Sequence, residues 1–300
     1  MSDLWTRGGL SWYELARRTA IKTWQDHVFG QAARLAFYHF LALFPALLLL
    51  LLLLSKLPVA GTQLCDTLTR CFQELMPPQS SSLVSATIGQ LKGTASLGKD
   101  AISAVLTGAW AAVNGTWAII AGLNTAYEVN ERRPWWKLTA VALALTLSLA
   151  VAGLLSLILL FYGARLGQFT AEHFGWSMAV EIAWPFVQWP VVIVLLLACF
   201  ALLYRFAPNM HDRRMQWSTP GAIIALLLWI ASALLMRTYF RHFHFYETKY
   251  GQLNSVAILL LWFYFTGASL LIGGELNSEI EKAAKHEDGS GDNADKRSGT

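Results

Sequence analysis

Eight consecutive leucines, Leu47 to Leu54, close an apolar run that begins at Ala33 and reaches Leu57. As a helix this run is ~37 Å long, enough to cross a ~30 Å hydrocarbon core with some tilt. A soluble core helix has no use for so much unbroken apolar surface. The run also starts too late, is too long and lacks a small-residue cleavage site for a signal peptide. It predicts a transmembrane helix, and therefore a membrane protein.

Composition fits that class. Charged residues are 14% of the chain and hydrophobic ones 55%, against roughly 25% charged in a soluble domain. The net charge of +4 is small and gives no ground for nucleic-acid binding. Thirteen tryptophans suit a protein with two membrane interfaces to anchor. Three cysteines without CxxC or Cys/His spacing exclude a zinc site of the usual kind.

Hydropathy places further apolar segments after the first, so the expected fold is an all-α polytopic membrane protein. Its six spans lie at about 33–57, 101–127, 138–163, 184–204, 219–237 and 253–275. The preceding residues 1–32 contain Tyr13, Ala16, Ala20, Trp24 and Val28 at helical spacing among charged residues. They predict an amphipathic helix lying in the membrane surface. Residues 58–100 carry Leu64, Leu68, Phe72 and Leu75, a Pro77-Pro78 break, and then Leu83, Val84, Ile88 and Leu91. This pattern predicts an extracytoplasmic helical hairpin. Within it a helix over 63–76 and a Cys65–Cys71 disulfide exclude each other, and the helix with two free thiols is favoured. The second span repeats Gly108, Gly115 and Gly122 every seven residues, which marks it as a central helix whose neighbours approach closely. Residues 33–282 read as one transmembrane domain, and 283–300 as a charged, disordered tail.

Orientation follows from Lys and Arg. Fifteen of them fall in the N-terminal part, the 126–137 and 205–218 loops and the tail, and eight on the other side. The first side is expected to be cytoplasmic, with both termini inside.

Several motifs carry a family resemblance. They are Ala33-x-x-Ala36-Phe37-Tyr38 with Phe44-Pro45, and Leu123-Asn124-x-Ala126-Tyr127 followed by Arg133-Pro134-Trp135-Trp136-Lys137. Next are Tyr204-Arg205-Phe206-Ala207-Pro208-Asn209, Trp217-x-x-Pro220-Gly221-Ala222 and Tyr250-Gly251-x-Leu253. The last is Gly273-Gly274-Glu275-Leu276-Asn277-x-Glu279. In order and spacing the chain resembles the YihY/BrkB family of bacterial inner-membrane proteins. The resemblance implies six helices and cytoplasmic termini, and no settled activity. Members carry labels as virulence factors and as a tRNA-processing ribonuclease, and envelope and lipid-related roles have been proposed. A ribonuclease needs metal ligands, paired catalytic histidines or a basic aromatic stripe for RNA, and the sequence offers none of these.

Two readings of function stand. One is a transporter or scramblase for an amphiphilic envelope molecule, and the other a non-transporting scaffold. A membrane-embedded enzyme is weaker, because no nucleophile–base constellation is visible. For the transporter, Arg34, Asn114, Asn124 and Glu275 are expected to line one polar cavity toward the cytoplasmic side. Tyr38, Tyr127 and Asn277 join them as candidate substrate-binding residues. Pro45, Pro190 and Gly251 are candidate kink or gating points. Arg34 would hold an anionic lipid headgroup and Glu275 would compete for the guanidinium; alternatively the two form an ion pair that only locks helices. Catalytic residues, metal ligands and cofactors are not expected. The expected partners are membrane lipids, with a homo-oligomer possible and no nucleic acid.

Overall fold

The structure is a computed structural model that describes residues 11–54, 99–174, 177–210, 220–242 and 252–298. The helical hairpin, the cysteine pair and Gly251 lie outside these residues. Among those described the protein is all-helical, with no strand. Its elements are α1 (Trp12–Gln25), α2 (Val28–Leu54), α3 (Lys99–Ala126), α4 (Trp135–Phe174), α5 (Ser177–Phe206), α6 (Pro220–His242) and α7 (Gln252–Ser298). Five of these carry stretches long and apolar enough to cross a membrane: Leu106–Ala126, Trp135–Ser156, Phe186–Phe206, Pro220–Phe240 and Ser255–Ala284. α2, with 27 residues and the leucine run, is ~40 Å long and also of spanning length.

Helices α2 and α7 form the centre. α2 packs on α3 and α7, α7 on α6, and α4 pairs with α5 against α3 and α6. The glycine repeat of α3 does what its spacing predicts. Gly108 comes against Pro45, Gly115 against the His39 ring, and Gly122 against Leu271 and Gln31. His39 also accepts or donates at Nδ1 to its own helix, 2.7 Å from Leu35 O. The core at the end carrying the α1–α2 turn is built from Leu35, Ile120, Leu123, Leu203, Tyr204 and Leu271. A second cluster at the opposite end joins Met236 and Phe240 of α6 to Ile258 and Trp262 of α7. By contrast α4 and α5 bury little of their spanning stretches, as expected of helices facing lipid.

Three features differ from the sequence expectation. First, the N-terminal helix stops at Gln25, and Asp26 and His27 form a turn before α2, with His27 at φ 50°. Second, α1 buries Leu15, Thr19 and Thr23, which pack it on Leu276 and Ile280 of α7. Of the stripe read as membrane-facing, Tyr13, Ala16, Ala20 and Trp24 are exposed and remain available to a membrane surface, whereas Val28 is buried at the start of α2. Thr19 can be buried because its hydroxyl donates to Leu15 O at 2.9 Å, leaving a small, satisfied surface. Third, α7 continues to Ser298 through residues whose composition predicts disorder. Extending an existing helix adds one hydrogen bond per residue without a new nucleation cost.

Candidate functional site

The motif residues scattered along the chain meet at one end of the bundle, where α3 and α5 finish, α6 begins and α1 lies across α7. Two polar clusters form there.

The first is a tie between loops. α3 ends in a Schellman motif, with Glu128 N–H donating to Thr125 O and Val129 N–H to Asn124 O, both at 2.9 Å. The residue in the left-handed position is Glu128, φ 52°, where glycine is usual. The chain then turns so that Asn124 Nδ2 donates to Glu131 Oε2 at 2.9 Å, while Asn124 Oδ1 accepts from Asn209 N at 2.8 Å. Arg133 grips Glu131 through Nε and Nη2, at 2.8 and 2.7 Å, and donates from Nη2 to Ala207 O at 2.7 Å. The Arg133 guanidinium holds the Glu131 carboxyl down to about 2. The LNxAY, RPWW and YRFAPN motifs are thus one hydrogen-bonded clamp joining the α3–α4 and α5–α6 loops.

The second cluster surrounds α7 at Gly273-Gly274-Glu275. The two glycines admit neighbours that a side chain would exclude. A Cβ on Gly273 would overlap the Tyr204 hydroxyl, and one on Gly274 would stand 2.6 Å from Leu123 Cδ2. The Tyr204 hydroxyl donates to Leu270 O at 2.7 Å. One turn on, Asn277 Oδ1 accepts from Gly221 N at 2.8 Å. That N–H is one of the four at the start of α6 with no partner in its own helix, so α7 caps α6. Tyr127 lies beside Asn277 and feels the charges of Glu281 and Glu275.

Glu275 is 1% exposed and neither of its carboxylate oxygens has a hydrogen-bond partner. The group facing it is the carboxyl of Asp26, from the α1–α2 turn. Asp26 Oδ2, Gln31 Oε1 and Thr23 Oγ1 are also buried without partners. Gln31 is fixed to the same turn, its Nε2 donating to Asp26 O at 2.8 Å. Around this pair runs a rim of opposite charges. Lys22 pairs with Glu128, and Lys282 with Glu128 at 3.0 Å and Glu279 at 3.1 Å. The two lysines lower the Glu128 carboxyl, and Glu128 in turn raises Lys22.

The sequence-predicted site residues are therefore divided. Tyr127, Glu275 and Asn277 come together. Asn124 stands beside them with its side chain used in the loop clamp. Asn114 lies farther along α3, its amide donating to Trp110 O of the same helix at 2.7 Å. Arg34 is exposed on the outward face of α2 with Phe37 and Leu41, and no ion pair joins it to Glu275, whose carboxylate oxygens are both without a partner. Tyr38 is half-buried and stacks edge-on with Phe37 at 5.8 Å. Pro45 sits inside α2 against Gly108, and Pro190 is exposed within α5. Asp26, Gln31 and Thr23 are additions that sequence reasoning missed. The available signal was an acidic residue interrupting an amphipathic pattern just before a span.

No group of three or more His, Cys, Asp or Glu side chains among the described residues could hold a metal ion. The family model described as "Virulence factor BrkB" matches residues 20–298. The chain belongs to this family. It is 30% identical over 256 residues to the "Putative ribonuclease-like protein YfkH" of Bacillus subtilis (strain 168), covering 85% of this chain and 91% of that protein. It is 28% identical over 264 residues to a "UPF0761 membrane protein" of Xanthomonas campestris pv. campestris (strain B100), covering 85% of this chain and 58% of that one. The chain thus spans little more than half of the Xanthomonas relative's length. No solved structure matches. The protein is a multi-pass membrane protein of the BrkB type.

Proposed function

We propose that this BrkB-family protein moves a lipid-like or amphiphilic molecule of the bacterial cell envelope, as a transporter or scramblase of the inner membrane, with the clamped, polar end in the cytoplasm. The observation that carries the reading is the placement of Arg34. A cation on an outward, lipid-side strip of α2, beside exposed Phe37 and Leu41 and without an ion pair among the described residues, suits an anionic headgroup with its acyl chain alongside. The aromatic and leucine side chains supply the apolar track, and the guanidinium offers planar, bidentate contact to a phosphate. Nothing in the site calls for hydrolysis, and the ribonuclease-like name of the Bacillus relative is not carried over.

Reconstituted in vesicles with a fluorescent anionic lipid, wild-type protein should accelerate its movement between leaflets. Arg34→Ala should lose most of that acceleration with its melting temperature unchanged, and Arg34→Lys should keep part of it. Equal rates for wild type and Arg34→Ala would end this reading of the site.

The scaffold reading has one observation in its favour. Helix contacts through Gly221, Gly273 and Gly274 make the polar end tightly packed. Wild-type vesicles that move no lipid would decide for it.

The orientation is tested separately. Single cysteines placed in 58–100, in a background lacking the native three, should react with a membrane-impermeant thiol reagent in intact cells, and those in 205–218 should not. The reverse pattern would invert the topology.

A further inference from the structure

The charge count around Glu275 does not close. From α1, Lys22 faces the cluster; from α7, Lys282, Glu279 and Glu281; from the end of α3, Tyr127 and Glu128. The two lysines are already engaged with Glu128 and Glu279, so these four charges cancel. Glu281 lies at the margin, where it acts on Tyr127, and His27 in the turn is exposed. That leaves the Asp26 and Glu275 carboxyl groups, facing each other, with three buried oxygens and no donor for any of them. Close by in sequence, Gln31 Oε1 is a further unpartnered acceptor, and the Thr23 hydroxyl, which can donate or accept, is unpartnered too. Among the described residues the one buried amide donor without a partner near them, Asn277 Nδ2, is neutral and brings no positive charge.

Oxygen acceptors without donors are what a small hard cation requires, and two facing carboxylates in a low-dielectric setting repel unless positive charge is placed between them. We infer that Asp26 and Glu275 together bind a small cation, a proton or a sodium ion, with Gln31 and Thr23 as neutral oxygen ligands. The site joins the α1–α2 turn to α7. Occupancy therefore ties the surface helix to the membrane bundle, and emptying it frees the two elements to separate. This inference stands independently of lipid movement.

Full-length protein in nanodiscs tests it by thermal unfolding. A ligand that binds only the folded state raises the melting temperature with its concentration and saturates. One series lowers pH in choline chloride. The other exchanges choline for sodium at fixed pH. Wild type should respond saturably in one of the two arms, and the responding arm names the ion. Asp26→Asn should lose that response, whereas Glu128→Gln, which touches only the rim, should keep it. If Asp26→Asn does not fold, Glu275→Gln serves in its place. The infrared carbonyl band of a protonated carboxylic acid, present in wild type and lost in the variant, then reads the proton arm independently. A wild type indifferent to both ions, or variants that respond as wild type does, would overturn the inference.

Discussion

Replacing Gly221 or Gly273 with alanine should cost the protein ~3 kcal/mol or more, at the upper end of what overpacking does. A Cβ on Gly221 would overlap the backbone oxygen of Gly273 and stand 2.6 Å from Asn277 Cγ. One on Gly273 would overlap the Tyr204 hydroxyl and stand 2.8 Å from Ala225 Cβ. In the first case the obstacle is backbone, so no rotamer change relieves it, and α6 and α7 must move apart. Their separation would stretch the Gly221–Asn277 bond and loosen the Tyr204–Leu270 bond, compounding the loss. Gly30 and Gly153 are the controls, since an added Cβ at either meets nothing within 4 Å. Alanine there removes the helix-interior penalty of glycine and should stabilise by up to ~1 kcal/mol. Melting temperatures of detergent-purified variants make the comparison, with folded yield on size-exclusion chromatography as a second readout. A Gly221→Ala protein that melts with the Gly153→Ala control would show that the two helices are not in this contact.

The sequence carries the membrane class, the all-helical character and even the α3 glycine face, because each depends only on local composition and spacing. Its failures have a common cause. Burial of α1 follows Leu15, Thr19 and Thr23, and threonine does not read as core, even where, as at Thr19, the hydroxyl is satisfied by the helix's own backbone. The α1–α2 turn has neither glycine nor proline, and it relies on His27 tolerating a positive φ. Arg34 and Glu275 sit at matching depth from hydropathy alone, yet a helix has faces as well as depth, and Arg34 occupies the outward one. The partner of Glu275 is instead Asp26, a pairing of like charges that no rule of complementary residues would propose. Asn124 and Asn277 read equally well as cavity lining or as structural ties. Only the positions of Asn209, Glu131 and Gly221, set by tertiary packing, show how their oxygens are used.

Asn277→Ala should lower stability by ~2–3 kcal/mol, and the companion substitutions say why. The side chain is 3% exposed, and its Oδ1 is the acceptor for Gly221 N–H at the start of α6. Truncation leaves a buried donor unmade, which costs ~1–3 kcal/mol, and removes a helix cap worth ~0.5–2 kcal/mol; the two overlap and do not simply add. Asn277→Asp keeps the acceptor and places negative charge at the N-terminus of α6, where the helix dipole favours it. It also puts a carboxylate two residues from Glu275 and beside Tyr127, on which the carboxyls of Glu275 and Glu281 already act. The aspartate variant should therefore be weakened at neutral pH and recover more on acidification than the alanine variant, whose response is limited to that of the Asp26–Glu275 pair both variants keep. Thermal unfolding of both variants across a pH series separates the two effects. An alanine variant as stable as wild type would remove Asn277 from the α6 cap. An aspartate variant no more sensitive to pH than the alanine one would show that the surroundings of residue 277 carry no excess negative charge.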